Sequence, residues 1–387
     1  MKILYTTASR LGGTGLSKVA YHAVRSIYNH GWLEKALTAG NRQSDVPSHM
    51  LKRFWFQPPK LFSFLSSRYY YTMKRVWFDY RAAGYVRSNP TDIVHGWTHE
   101  SLQTVHAARE VGAISLVDRG YAHPRFSKRI LDEEYEIYGI PRNLEAAPPW
   151  LRPYDHWRRE LDEAVEEMEQ CDYLLVPSQF CYDSCLLEGI PASRLMMIPR
   201  GFDPTMFKPV EPEDERFRVV FVGLLAVRKG LKYLLEAWER LALVNAELLL
   251  VGSLHQELVP MLTPYLQRED VNHIAFTPNP AEFYNKATVF VFPSLDEGSA
   301  KVTYEAMACG LPVITTPNSG SLVRDGLDGF LVAPRSVDEL MEKILYYYDD
   351  RDAARQMGQS AWQAIQAYTW DNYEERLANF YEKIMAK

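Results

Sequence analysis

Short apolar, β-branched runs alternate along the chain with longer stretches whose apolar residues recur every three or four positions. The runs at 2–6, 92–95, 113–117, 173–176 and 195–198 read as strands, and a second series follows at 217–223, 247–252, 271–276, 289–292 and 312–315. Helical periodicity fills intervening stretches such as 16–29, 154–170, 231–241, 338–348 and 353–368. Strands that alternate with helices, and that carry near-continuous apolar runs, predict a parallel sheet covered on both faces. Because the pattern occurs twice, it predicts an α/β protein of two doubly wound domains. The stretch 199–212, rich in Pro, Gly and acids, is the expected linker. Open parallel sheets bind ligands beyond the carboxyl ends of their strands, so two such domains predict a site in a central cleft where they face each other.

A length of 387 residues agrees with two domains that each bury a core. Hydrophobic residues at 47% and charged residues at 24% exclude a disordered or collagen-like chain. The four cysteines (Cys171, Cys181, Cys185, Cys309) form no Cys-x-x-Cys pair and have no histidine at zinc spacing. They read as buried thiols in a reducing compartment, with no metal expected. The amino-terminal residues turn polar after three apolar ones, unlike a signal peptide, and no apolar run reaches the length of a membrane span. A cytoplasmic protein is the expectation. Net charge is −6, yet the segment 51–87 holds eight Lys/Arg against one acid and twelve aromatics. Basic residues among large aromatics suit the anionic inner face of a membrane, and core packing of the same rings is an equal explanation.

Three stretches carry candidate chemistry. The first strand runs into Gly12-Gly13-Thr14-Gly15 ahead of a helical stretch, where backbone N–H groups can approach an anion at the positive helix end. A tight strand-to-helix turn explains the same glycines. In the second, Gly223 is followed by Arg228-Lys229-Gly230 at another helix start. Two cations there are opposed by the helix dipole, by about 0.3–1 kcal/mol each, unless an anion binds between them. The third, 294–313, places Glu297 in a loop, Gly298-Ser299-Ala300 at a helix start and Glu305 about two turns into that helix. A carboxylate accepts from two vicinal hydroxyls, so this arrangement suits two diols with a phosphate between them. A glycosidase pair would need both carboxyls to flank one bond, which a loop and helix at this separation do poorly.

Glu297, seven residues, Glu305 and the following Ala306-Met307-Ala308-Cys309-Gly310-Leu311-Pro312-Val313-Ile314 closely resemble the E-x7-E signature of retaining nucleotide-sugar glycosyltransferases of group 1. The resemblance continues through 320–332 and reaches back to Ile198-Pro199-Arg200-Gly201-Phe202-Asp203. It implies the GT-B fold: an acceptor-binding Rossmann-like domain at 1–203, joined by a returning helix at 370–387, and a donor-binding Rossmann-like domain at 204–369. It also implies roles. Arg228 and Lys229 would contact the diphosphate, Glu297 the donor sugar and Glu305 the ribose. Gly12 and Gly13 and the amides of Gly298, Ser299, Ala300 and Lys301 would complete the cradle. Where the family often has a histidine on the acceptor side, this chain offers Asp118 and, five residues on, His123, either of which could take that role. The chain departs from the common pattern at Leu224, where the family often has arginine, and at Ser299-Ala300, where Phe-Gly is common. Asp350-Arg351-Asp352 matches the metal motif of a different glycosyltransferase fold, but its place between two helices suits capping.

The expectation is therefore a metal-independent, retaining hexosyltransferase with no cofactor beyond its nucleotide diphosphate sugar co-substrate. Its acceptor would be a glycan or lipid-linked molecule of envelope polysaccharide synthesis, and no nucleic acid is expected as a partner. A sugar-nucleotide epimerase of the same fold, and a non-catalytic sugar-nucleotide-binding or membrane scaffold protein, are the alternatives.

Overall fold

The computed structural model describes residues 1–54, 61–62, 64–141, 148–210, 214 and 216–386. Trp55, Phe56 and Lys60 of the basic aromatic stretch lie outside the described residues. The chain divides into two compact units: Met1–Phe126 with Asn143–Pro199 and Trp370–Lys387, and Ser127–Arg142 with Arg200–Thr369.

The first unit holds strands β1 (Ile3–Leu11), β2 (Leu33–Asn41), β3 (Leu51–Arg53), β4 (Ile93–Trp97), β5 (Ile114–Asp118), β6 (Tyr173–Val176) and β7 (Leu195–Met197). Its helices are α1 (Leu16–Asn29), α2 (Ser67–Ser88), α3 (Leu102–Val111), α5 (His156–Leu161), α6 (Glu163–Gln170) and α7 (Gln179–Leu187), while α4 (Pro124–Tyr138) passes into the second unit. The sheet order is β3-β2-β1-β4-β5-β6-β7, parallel throughout. Residues Ile93 to Trp97 of β4 are all buried, as in a strand covered on both faces. β2 and β3 escape the sequence reading because their runs are interrupted: Glu34 and Lys35 sit near the start of β2, and β3 is a three-residue edge strand with two cations.

The second unit holds β8 (Phe217–Val222), β9 (Ala246–Val251), β10 (Val271–Ile274), β11 (Val289–Phe292), β12 (Val313–Thr315) and β13 (Gly329–Leu331), in parallel order β10-β9-β8-β11-β12-β13. Its helices are α8 (Leu231–Leu241), α9 (Val259–Leu266), α10 (Ala281–Lys286), α11 (Lys301–Ala308), α12 (Val337–Asp349) and α13 (Arg351–Ile365). Phe217, Phe221, Phe290, Leu248 and Trp238 are buried at its centre. Segment 127–142, which the sequence reading ran on with the first domain, is grouped with this unit. Fully buried Glu134 of α4 explains why: it accepts from the Tyr233 hydroxyl at 2.8 Å and from Arg335 Nε at 2.7 Å.

The chain closes with α14 (Trp370–Met385), which belongs to the first unit. It lies on α1, where His22 stacks on Trp370 at 4.3 Å and bonds Glu374 at 2.7 Å. Asp350 caps α13 by accepting from the Ala353 amide at 2.9 Å, and Asp352 pairs with Arg355. Among the described residues no helix is long and apolar enough to cross a membrane.

The basic aromatic segment divides between core and surface. Phe54 and Phe78 are buried and pack edge to face at 5.5 Å, whereas Phe62, Phe64, Tyr71 and Tyr80 are exposed. Lys52 and Arg53 face outward, while Arg68 is held by Asp155 at 2.7 and 2.8 Å.

Candidate functional site

In each sheet the strand order reverses direction beside one strand, and the loops that leave the carboxyl ends there diverge to opposite sides. That divergence opens a crevice. In the second unit the reversal lies between β8 and β11. The loop after β8 carries a 3₁₀ turn, Val227–Lys229, and enters α8 at Gly230 with φ of 67°. A β-carbon on Gly230 would lie 2.0 Å from the Pro293 carbonyl oxygen, so only glycine lets the two loops meet. Backbone hydrogen bonds fasten them: the Arg228 carbonyl accepts from the Leu295 amide at 2.9 Å and from the Ser294 hydroxyl at 3.1 Å. The loop after β12 adds a third layer, with Asn318 donating to the Leu295 carbonyl at 2.8 Å and accepting from the Glu297 amide at 3.1 Å.

This scaffold brings together four of the residues singled out in the sequence. Arg228 Nη1 donates to Glu297 Oε1 at 2.5 Å and to the Asp296 carbonyl at 3.2 Å. The Lys229 ammonium rests against that same Glu297 oxygen and over the Phe292 ring, 5.1 Å from its centroid. Lys229 is only 7% exposed. Burial, and then the neighbouring Arg228 charge, push its ammonium well below the usual lysine range, while Asp296 pulls the other way. Two cations thus converge on one carboxylate oxygen in charge-assisted contacts.

The fourth residue, Glu305, stands one turn into α11, because the helix begins at Lys301 rather than at the preceding glycine. Its Oε2 accepts from the buried Tyr284 hydroxyl at 3.2 Å, and Lys301 lies 3.7 Å from its other oxygen. Burial and the Glu305 charge push the Tyr284 phenol well above its usual range, so that hydroxyl is a donor at any ordinary pH. Burial likewise pushes the adjacent Cys309 thiol up to about 12, so it takes no part as a thiolate. In the cradle, the Ala300 amide donates to the Ser319 carbonyl at 3.0 Å, and Ser299 donates to the Tyr304 hydroxyl at 2.9 Å.

A groove of about 300 Å³ opens in the same unit, lined by Gly223, Leu224, Gly252, Phe276 and Pro280 among others. It sits at the carboxyl ends of β8 and β9. A β-carbon on Gly252 would lie 1.9 Å from the Gly223 carbonyl oxygen, so only glycine at 252 lets the strand ends come this close. Sequence reasoning missed the groove, and it missed Asp296 and Tyr284. The Ser294-Leu295-Asp296-Glu297 run was the one available signal for Asp296, and Tyr284 has none because it reaches Glu305 from a different helix.

In the first unit, Gly12 (φ 77°) and Gly13 lie between β1 and α1. The α1 helix starts at an N-cap glycine and carries no acid in its first turn. A β-carbon on Gly13 would press on Ser17 at 2.9 Å. Asp118 ends β5 and His123 lies in the loop beyond it, and both side chains are fully buried. His123 accepts from the Arg125 amide at 3.3 Å and donates its own amide to Ser184 at 2.9 Å. Between them, buried Arg119 shapes the loop by donating to the Ala122 carbonyl at 2.8 Å and to Glu160 at 2.8 Å. Burial opposes ionisation of Glu160, but the charges of His99 and Arg119 outweigh it and hold its carboxyl well below the usual range.

Two parallel α/β units with reversals of strand order define the GT-B fold. Sucrose-phosphate synthase from Thermosynechococcus elongatus has this fold with a TM-score of 0.71 at 20% identity, covering 100% of this chain and 99% of its own. Anabaena Alr3699/HepE, in complex with UDP and glucose, aligns with a TM-score of 0.67 at 18% identity, covering 99% of this chain and 100% of its own. Residues 202–364 match the family of glycosyl transferases group 1, and this stretch is a domain of that family. Among curated relatives, the capsular polysaccharide biosynthesis glycosyltransferase CapM of Staphylococcus aureus is 28% identical over 186 residues, 45% of this chain and 49% of its own. The first curated relatives are matched over 49% to 63% of their own length.

Proposed function

We propose that the protein is a retaining glycosyltransferase that moves a hexosyl group from a nucleotide diphosphate sugar to a glycan or lipid-linked acceptor in envelope polysaccharide synthesis. The observation that carries this reading is the convergence of Arg228 and Lys229 on Glu297 at the reversal of strand order. As the sugar leaves, negative charge grows on the diphosphate, and buried Lys229 with half-buried Arg228 would stabilise that charge more in the transition state than in the ground state. Glu297 would exchange its cation contacts for sugar hydroxyls, and Glu305, fixed by Tyr284, would hold the ribose. The apolar groove fits the planar base. HepE binds UDP, which makes uridine nucleotides the first to try. No metal or further cofactor enters the scheme, since the two cations supply the charge.

Asp118 or His123 would face the acceptor after a rearrangement that uncovers them. A protein whose acceptor is lipid-linked gains from exposed apolar and basic side chains, and Phe62, Phe64, Lys52 and Arg53 are exposed in 51–87.

The test is incubation with a panel of UDP, GDP, ADP and dTDP sugars, with products followed by NMR. Release or transfer of the sugar with its anomeric configuration kept supports the proposal. An altered sugar still attached to the nucleotide would establish the epimerase, and binding without any product the scaffold protein. Sedimentation with anionic liposomes tests the surface: a Lys52→Glu/Arg53→Glu/Phe64→Ser variant should stay in solution while the parent sediments.

A further inference from the structure

Two exposed apolar side chains line the groove at the carboxyl ends of β8, β9 and β10. Leu224 lies two residues beyond β8 and is 42% exposed, and Phe276 lies two residues beyond β10 and is 77% exposed. In the sheet β9 stands between β8 and β10, which are therefore two strand spacings apart, about 9–10 Å. Gly252, which follows β9 between them, contributes no side chain. Polar atoms at these strand ends are turned to the protein. The Gly223 amide donates to the Val251 carbonyl at 2.9 Å, the Gly252 amide to the Ile274 carbonyl at 2.8 Å, and the Leu225 amide to the Ser253 carbonyl at 2.9 Å. The Gly252 carbonyl accepts from His273 Nε2 at 2.9 Å, and the Thr277 hydroxyl accepts from the Asn279 amide at 3.1 Å. The surface left facing the groove is mostly apolar.

We propose that Leu224 and Phe276 form a clamp that holds the nucleobase of the donor by its flat faces, so that the site accepts nucleoside diphosphates with little regard to which base they carry. This rests on the glycosyltransferase reading and adds to it what selects the donor. Leu224 and Arg228 are four residues apart on one loop, a span of at most about 14 Å. A ring at Leu224 and a diphosphate at Arg228 and Lys229 are thus within reach of one molecule. A volume of about 300 Å³ stands at the small end of ligand pockets, about 300–1,000 Å³, and suits a single ring system. A hexose carries hydroxyls on every side, which apolar walls leave unsatisfied. A base, in contrast, presents a π face to Phe276 whatever groups its edge carries. Sites that read their ligand by hydrogen bonds reject the wrong one by about 10⁴-fold, and apolar contacts discriminate far less.

The test is calorimetry of UDP, GDP and ADP with the full chain and with variants at the clamp. The three dissociation constants of the parent should agree within about 30-fold, and a wider spread overturns the proposal. Phe276→Ala should weaken all three by about tenfold or more, the loss that follows removal of a stacking ring. Leu224→Ser should weaken all three by a smaller step, and Phe276→Tyr, which keeps the ring, should match the parent. Pyrophosphate has no base, so its displacement of UDP should give the same pyrophosphate affinity in the parent and in Phe276→Ala. Unchanged nucleotide affinity in Phe276→Ala, or an equal loss of pyrophosphate affinity, overturns the clamp and leaves the groove to another apolar occupant such as the lipid of an acceptor. Base-indifferent binding without release or transfer of any sugar would sink the glycosyltransferase reading and leave the clamp standing; turnover with base-selective binding would do the reverse. Failure of all three nucleotides to bind overturns the clamp, and the products formed from nucleotide sugars then decide the glycosyltransferase reading by themselves.

Discussion

Glu297 gives one oxygen to two cations, so at this residue a bound anion and the resident carboxylate compete for the same partners. The variants at the site should therefore differ in kind. Lys229→Ala should cut turnover by about 10²-fold with the fold intact, as loss of one charge-stabilising donor does; an unchanged kcat/KM would remove Lys229 from the site. Glu305→Gln should weaken binding of free nucleoside diphosphate, whereas Glu297→Gln, which removes the competing charge, should not weaken it and should weaken binding of the intact sugar donor. Equal losses in calorimetry would contradict that division. Lys229 itself predicts a proton linkage. Its ammonium is held below the ordinary lysine range in the free protein, and a diphosphate beside it restores the charge. Nucleotide binding on the alkaline side should then take up protons, read as a buffer-dependent binding enthalpy, and affinity should fall as pH rises. Glu297, Glu305, Arg228 and Lys229 were legible in the sequence because spacing and charge mark them. Tyr284 was not, because its link to Glu305 is made in space between α10 and α11.

At the scale of elements, the site depends on loops that touch through backbone. Gly230→Ala would place a methyl group 2.0 Å from the Pro293 carbonyl and force a side chain into a left-handed conformation. Conformational mismatch alone costs more than about 1 kcal/mol; with the clash, the variant should melt lower and lose nucleotide binding together. Melting unchanged from the parent would mean that the loops can part. Helices with strong amphipathic periods were legible almost to the residue, α1 and α8 among them, as were the all-apolar strands. The stretch read as one helix over 154–170 is instead α5 and α6, separated at Asp162, and α5 begins where Asp155 accepts from the Trp157 amide at 3.2 Å. Burial differs across that break: α6 buries Ala164, Val165 and Met168, whereas α5 has no buried residue and its Trp157 is exposed. In 51–87, α2 turns Phe78, Ala82 and Val86 inward and Tyr71 and Tyr80 outward, so part of the segment packs in the core and part lies at the surface.

Across the whole molecule, the first unit is discontinuous: its core includes Trp370, Tyr373, Leu377, Phe380, Tyr381 and Ile384 of α14 beside Ile3, Tyr5, Val24 and Ile27. Burial of each large apolar side chain contributes about 1.5–3 kcal/mol, so six together are comparable to the roughly 5–15 kcal/mol by which a typical domain is stable. A chain ending at residue 369 should lose the melting transition of the first unit, seen by calorimetry against the parent. Retention of both transitions would make α14 an accessory. The returning helix was read from family resemblance, whereas the grouping of 127–142 with the second unit rests on Glu134, whose partners Tyr233 and Arg335 no sequence pattern links to it.

The seating of α14 also orders events during synthesis. Domains fold as units while the chain is made from its amino end. Every strand of the second unit precedes Trp370, so that unit can complete its sheet on the ribosome while the first, though begun earlier, still lacks one side of its core. The face of α1 that receives α14 through His22, Arg25 and Ser26, and the core that receives Trp370, Tyr373 and Leu377, are then uncovered for the time taken to make some 170 residues, counted from Arg200 to Thr369. A chaperone that binds nascent chains should therefore crosslink to α1 until α14 emerges and release it soon afterwards.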